Sequence, residues 1–268
     1  MLAVPGPLFT CWPLTMRFVG VPNRDSMNAM LGRAGLADKT FLDVGCGSGL
    51  FSLVARRSGA RVSSIDYDPE CVACAAELKR RYFPDDENWT IREGSALDGP
   101  YLESLGKFDV VYSWGVLHHT GDMWKAVGLA AERVKHGGTF FISIYNDQGG
   151  GSRRWLKIKQ FYNRMADFSK PFLVLFIACP YEAKYALARL VNGRNPLPFA
   201  DWRRKSEDRG MSVWHDWVDW CGGLPFQVAK PEEILSFLRK RDFILEDLIT
   251  CGGGWGCNQF VFKRATIP

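Results

Sequence analysis

Phe41-Leu42-Asp43-Val44-Gly45-Cys46-Gly47-Ser48-Gly49 is a short apolar strand that runs directly into a glycine-rich turn. Its glycines have a steric meaning: without a Cβ they accept positive φ and let the backbone close on a ligand. Downstream, Leu50, Phe51, Leu53, Val54 and Ala55 recur at helical spacing, and the helix is expected to end near Gly59. Arg61-Val62-Ser63-Ser64-Ile65-Asp66 reads as a second strand, and its terminal acid lies 21 residues after Gly45. A carboxylate in that place can accept from both hydroxyls of a ribose. The G-x-G-x-x-G of a dinucleotide site is not met, because Leu50 stands where the last glycine belongs. The ligand implied therefore carries an α-amino acid rather than a pyrophosphate.

Outward from this turn the same alternation continues. Pro69 to Arg81 reads as a helix, Trp89 to Glu93 as a strand, and Phe108 to Ser113 as a fourth strand. Asp122 to Val134 reads as a helix and Thr139 to Tyr145 as a fifth strand. After a break the rhythm resumes with a helix from Pro231 to about Arg241 and two closing strands, Phe243 to Ile249 and Asn258 to Lys263. Strands alternating with helices imply right-handed crossovers. The expected fold is α/β: a Rossmann-like, seven-stranded, mostly parallel sheet with helices on both faces, plus an inserted, mainly helical cap.

The turn and the segments after it resemble a known family. Phe41 to Gly49 looks like motif I of the class I S-adenosylmethionine-dependent methyltransferases, and Asp66 matches that family's acidic ribose-binding position. The resemblance is closest to the ubiquinone-biosynthesis-type and other small-molecule O-methyltransferases. Glu93-Gly94-Ser95-Ala96 falls where the family contacts adenine, with Ser95 in place of the commoner Asp. Phe108 to His119 resembles the fourth strand and the loop beneath the cofactor's methionine, and Lys135-His136-Gly137-Gly138-Thr139 the turn before strand five. The resemblance covers about Leu36 to Tyr145 and returns weakly from Pro231 to Arg264. It implies S-adenosyl-L-methionine as cofactor, with Asp43, Gly45, Cys46, Gly47, Gly49, Asp66, Tyr67, Ser95, Ala96, Ser113 and Trp114 around it, and no metal. By that scheme 1–35 is an extension and lead-in helix, 36–145 with 231–268 the cofactor-binding core, and 146–230 a substrate-binding cap.

Methyl transfer mainly requires that acceptor and methyl be held close and in line. A hydroxyl of high pKa also needs a base, whereas an amine or carboxylate can do without one. His118 and His119 follow the fourth strand at the carboxyl edge of the sheet, where ligands bind. One of them is expected to reach the acceptor, or else His119 only orders the loop. His215, beside Asp216 and near Asp219, is the rival base, and His136 lies at the other edge. The acceptor is expected to be a small molecule with a hydroxyl. An N- or carboxyl-methyltransferase, or a cofactor-binding subunit without chemistry, are the alternatives.

Charge and composition narrow the partners. Residues 146–230 hold 14 Lys and Arg against 8 Asp and Glu, while the rest of the chain has 20 against 21, so the whole +5 excess lies in the cap. Arg153-Arg154 with Lys157 and Lys159, and Arg203-Arg204-Lys205, suit phosphate or carboxylate groups or form a solvated basic face. Trp155, Phe161, Tyr162, Trp202, Trp214, Trp217 and Trp220 beside these cations fit a sugar, a ring or a lipid head group. The acceptor is therefore expected to be anionic or lipid-linked. Nucleic acid is not expected, since the loop after strand four lacks the Pro-Pro-aromatic signature of amino-methyltransferases and the total charge is modest. Phe172 to Val191 reads as the cap's own core, with an amphipathic pair on a membrane surface as the alternative. No apolar run approaches the roughly 20 residues of a membrane span. Met1 to Thr15 is expected to lie outside the fold, with Met16 an alternative start. Cys71-x-x-Cys74 opens an Ala-rich helix and is expected to pack, in a reducing cytoplasm.

Overall fold

The computed structural model describes residues 35–199, 202–203 and 212–266. The expectations for residues 1–34 and for Arg204 and Lys205 lie outside the described residues. Seven strands form one sheet: β1 (Thr40–Val44), β2 (Arg61–Asp66), β3 (Trp89–Glu93), β4 (Phe108–Trp114), β5 (Val134–Tyr145), β6 (Phe243–Ile249) and β7 (Cys257–Arg264). Their order is β3-β2-β1-β4-β5-β7-β6. The first five pair in parallel, and β7 runs antiparallel to both β5 and β6. This is the mostly parallel α/β sheet that the alternation implies. The chain reverses direction across the sheet between β1 and β4, and at such a switch point a crevice opens beyond the carboxyl ends of the strands.

The connecting helices are α1 (Leu50–Arg57), α2 (Pro69–Tyr82), α3 (Gly99–Ser104) and α4 (Met123–Glu132). The insert contributes α5 (Gly150–Arg164), α6 (Lys170–Val191) and α7 (Val213–Gly222), and α8 (Pro231–Arg239) precedes β6. Local chemistry sets their starts. Asp68 accepts from the Glu70 amide ahead of Pro69, and the Glu233 carboxylate accepts from the Lys230 amide ahead of Pro231. Two boundaries differ from the sequence reading. The six-residue α3 is too short for apolar periodicity to register. Strand β5 starts at Val134, because Lys135 to Gly138 bulges out of register between the Phe108–Val134 and Val110–Thr139 pairs.

Among the described residues the chain forms two compact units, Gly150–Leu224 and the remainder. In the larger unit, Leu42, Val44, Val111, Phe140, Ile142 and Phe260 of the sheet are buried with Ala126, Val127 and Ala130 of α4 and Ile234 and Leu238 of α8. Residues 146–149 and 225–230 belong to this unit. Asn146 bridges in parallel to Ala229, and Ala229 N–H donates to the Tyr145 carbonyl.

The smaller unit reverses two expectations. Trp155 packs on Trp220 and on Tyr181, and Tyr181 on Trp217, with ring centroids 5.4, 6.5 and 5.7 Å apart. These aromatics form the insert's interior. Lys159 is also inside, with its ammonium donating to the Trp220 carbonyl at 2.6 Å. Burial lowers its pKa to about 8, so it is not part of a surface cluster with Arg153, Arg154 and Lys157. By contrast, Phe172 to Val191 is neither a core nor a helix pair. It lies in one continuous helix through Pro180, of which only Val174 and Ala178 are buried. Asp167–Val191, which contains an 18-residue window of mean hydropathy 1.2, is long and apolar enough by length and composition to cross a membrane. Counting uninterrupted apolar residues missed this, because Glu182, Lys184 and Arg189 divide the run without ending the helix.

Candidate active site

The glycine turn lies at the carboxyl end of β1. Gly45, Gly47 and Gly49 all have positive φ, at 79°, 53° and 81°. Gly45 is also needed for space, since a Cβ there would stand 2.4 Å from Val116 Cγ1. At Gly47 a Cβ would meet nothing within 4 Å, so this point of the turn faces open space. Its N–H donates to Asp66 Oδ2 at 2.8 Å, and the Asp68 N–H donates to Asp66 Oδ1 at 3.0 Å. Asp66 thus ties the end of β2 to the turn with one bond per oxygen, leaving lone pairs on both. Tyr67 follows it and is exposed. Cys46 is buried, and burial raises its thiol pKa, so it packs as a small apolar group.

Asp43 sits beneath the turn and is almost fully buried. One oxygen accepts from Ser52 Oγ at 2.6 Å; Ser52 Oγ meets Ser64 Oγ at 2.7 Å; Ser64 Oγ accepts from Trp89 Nε1 at 2.9 Å. Because the indole can only donate, the hydroxyls align in one direction, Trp89 to Ser64 to Ser52 to Asp43. Burial pushes the Asp43 carboxyl up to about 7, with a smaller push from Asp66, against the lowering effect of the Ser52 bond. Since the folded pKa lies above its ordinary 3.8, the folded chain keeps a proton that the unfolded chain has lost. Stability conferred by this site is present at low pH and falls as pH rises through the 4-to-7 window, by up to about 4 kcal/mol. Asp43→Asn retains an acceptor for Ser52 and removes the titration. Denaturant unfolding at pH 5 and pH 8 is expected to show the wild type losing stability relative to the variant, and equal losses in both would refute the assignment.

Two other loops complete the carboxyl edge. After β3, Ser95 Oγ accepts from the Leu97 N–H at 3.1 Å and closes a tight turn before α3, with Ala96 within it. After β4, Ser113 is fully buried and its hydroxyl donates to the Val44 carbonyl at 2.7 Å. It therefore positions the ends of β1 and β4 rather than offering its side chain to a ligand. Trp114 stacks on Tyr112 at 5.6 Å with an interplanar angle of 7°.

The three histidines separate. His118 is buried, with its ring against Tyr145 at 4.0 Å and His119 at 4.4 Å, so it forms part of the loop's packing. His119 is half-buried, and its Nδ1 lies 2.7 Å from the Pro225 carbonyl. A carbonyl only accepts, so Nδ1 carries the proton and the neutral ring keeps its lone pair on Nε2. His215 belongs to the smaller unit, where it is exposed at the first turn of α7 with Nδ1 2.6 Å from Ser212 Oγ. The hydrogen bond at that ring nitrogen is thus to the helix-capping serine, where the sequence offered Asp216 or Asp219. His136 meets the Ala265 carbonyl at 3.1 Å, at the start of β5.

Sequence reasoning did not find Pro225, Gln227 or the Asn146–Asn258 pair. Gln227 N–H donates to the His118 carbonyl and its Oε1 accepts from the Met123 N–H, which fixes the returning chain against the β4 loop and presents Pro225 to His119. Asn258 donates to Asn146, which donates to the carbonyls of Gly252 and Gly254, pinning the glycine-rich β6–β7 loop beside the end of β5. No local motif marks these residues, since each works through a partner 104 to 112 positions away in the chain.

A family model described as a methyltransferase domain matches residues 17–192. This chain belongs to the class I S-adenosylmethionine-dependent methyltransferase family. Among curated proteins it is similar to the ubiquinone biosynthesis O-methyltransferase of Pseudomonas paraeruginosa, 36% identical over 116 residues, covering 42% of this chain and 47% of that protein. The Escherichia coli protein of the same name is 34% identical over 124 residues, covering 46% and 48%. The match thus spans about half the length of these relatives. Among solved structures, magnesium protoporphyrin IX methyltransferase from Synechocystis PCC 6803 aligns with a TM-score of 0.53 at 14% identity, over 90% of this chain and 80% of that one. The N-methyltransferase NodS from Bradyrhizobium japonicum WM9 aligns with a TM-score of 0.52 at 14% identity, over 91% and 88%. At such identities the likeness is one of fold.

Proposed function

We propose that this methyltransferase O-methylates a small molecule, with His119 as the general base. S-adenosylmethionine, the family's cofactor, supplies an electrophilic methyl group when bound. The residues present fit it. Gly47 opens onto space, Asp66 keeps lone pairs for ribose hydroxyls, and the buried Asp43 carboxyl would be returned to its charged form by a cationic α-amino group. Gly45, Gly49 and Cys46 hold the turn, while Ser95, Ala96, Tyr67 and Trp114 are assigned to the adenosine and methionine surroundings.

The observation that carries the reading is the bond between His119 Nδ1 and the Pro225 carbonyl. It fixes the ring at the carboxyl edge of the sheet, and with the proton on Nδ1 the basic nitrogen of the imidazole is Nε2, to which we assign the hydroxyl proton. As the new oxygen–carbon bond forms, the hydroxyl proton passes to Nε2 and the electron pair of the broken sulfur–carbon bond stays on sulfur. A carboxylate acceptor, already ionised, would give such a base no task. The named relatives that methylate oxygen in ubiquinone biosynthesis support the same chemistry. Selection of an anionic or lipid-linked acceptor is assigned to the insert, where the basic excess lies. No nucleic-acid substrate is proposed, and a cytoplasmic setting is part of the proposal.

The test is transfer of labelled methyl to panels of phenols, sugar alcohols, amines and carboxylic acids. Label recovered in a base-stable ether is the expected result. Label recovered only as methylamine or as a base-labile ester would overturn it.

A further inference from the structure

Helix α6 carries its large apolar residues on the outside. Phe172, Phe176, Cys179, Ala183, Leu187 and Leu190 recur at steps of three and four and are all exposed, Phe172 at 70% and Phe176 at 78%. Spacing of that kind places them on one face. The stripe extends about 27 Å at the helical rise of about 1.5 Å per residue. The opposite face, at Val174, Ala178 and Tyr181, already meets the insert's tryptophan interior, so the outer stripe is not needed for folding. Leu197 and Phe199 beyond the helix are exposed as well. A soluble surface rarely presents so long an apolar strip without a partner.

Charge identifies the partner. Lys184 and Arg189 on the helix and Arg194 just after it are positive. The helix's only acid, Glu182, accepts from the indole N–H groups of Trp202 and Trp217 at 3.4 and 3.3 Å. At the start of the helix, Lys170 is paired with Asp167 at 2.6 Å. An apolar stripe flanked by Lys and Arg, with its acid already engaged, complements an anionic phospholipid surface. Self-association through this face would repeat the stripe on both copies and bring the same cations together. Spanning the bilayer would place Glu182 and Lys184 near its middle, a costly position for charge.

We infer that α6 lies in the plane of an anionic membrane, its phenylalanine and leucine stripe in the acyl boundary and its cations among the phosphates. This holds whichever atom receives the methyl group, and it locates the enzyme where lipid-soluble acceptors are found.

The test uses the full chain with phosphatidylcholine vesicles, with and without phosphatidylglycerol, and the triple variant Phe172→Ser, Phe176→Ser, Leu187→Ser. The wild type is expected to sediment with the anionic vesicles, less so at high salt, and the variant to bind more than tenfold more weakly. Affinity for S-adenosylhomocysteine should be equal in both, which shows that the variant is folded. The inference is overturned if the wild type ignores anionic vesicles or if the folded variant binds them as well. It is also overturned by a wild-type dimer in sedimentation velocity that the variant loses in the absence of any vesicle binding, which would mark a self-association face. Retention of the wild type in cell membranes after an alkaline carbonate wash would likewise overturn the in-plane placement in favour of a span.

Discussion

Replacing His119 by Asn is expected to lower kcat by about 10²- to 10⁴-fold, the usual worth of a positioned base, with the affinity for S-adenosylhomocysteine unchanged. Asn is the informative substitution because its amide places an N–H near the position of Nδ1–H. The bond to the Pro225 carbonyl, and with it the approach of Pro225 to Gln227, can then survive. What is removed is Nε2, and only the transfer of the proton depends on it. A purely structural role for His119 would leave kcat close to normal in a variant that keeps the Pro225 bond. If His119→Asn is fully active while His215→Asn is not, the base comes from the insert. Should both variants turn over normally, O-methylation by a histidine base is wrong, and the amine or carboxylate alternatives take its place.

Asp66→Ala is expected to weaken S-adenosylhomocysteine binding by roughly 10²- to 10⁴-fold, from two charge-assisted hydrogen bonds of about 1.5 to 3 kcal/mol each. The structure gives this residue a second task. Its oxygens hold the N–H groups of Gly47 and Asp68, so Ala also releases the turn that the ligand must meet already formed. Asp66→Asn keeps one acceptor oxygen and should fall between the wild type and Ala. Calorimetry showing near-normal affinity for Asp66→Ala would remove Asp66 from the cofactor site.

The glycine turn was legible because its physics is local. A glycine at Gly45 or Gly47 is dictated by positive φ within the turn, and an acid closing the neighbouring strand follows from one βαβ step. The strand–helix alternation gave the parallel sheet for the same reason, since each period of two or of about four is written in adjacent residues. Where the local signal was weak, the reading missed: α3 has six residues, and the bulge that starts β5 depends on its pairing with β4.

The rest depended on chain segments meeting from far apart. The sequence by itself determined the fold class, the glycine turn, Asp43 and Asp66, and a histidine pair at the carboxyl edge of β4. Only the tertiary structure separated that pair, burying His118 against Tyr145 and holding His119 through the carbonyl of Pro225, 106 residues away. It also turned Ser113 inward, aligned Ser52, Ser64 and Trp89 on Asp43, and put Trp155, Trp217 and Trp220 of the insert inside and the apolar stripe of α6 outside. Composition tells how apolar a helix is. Which face is covered depends on what packs against it, and in α6 the tryptophan interior had room for only the narrow side at Val174 and Ala178.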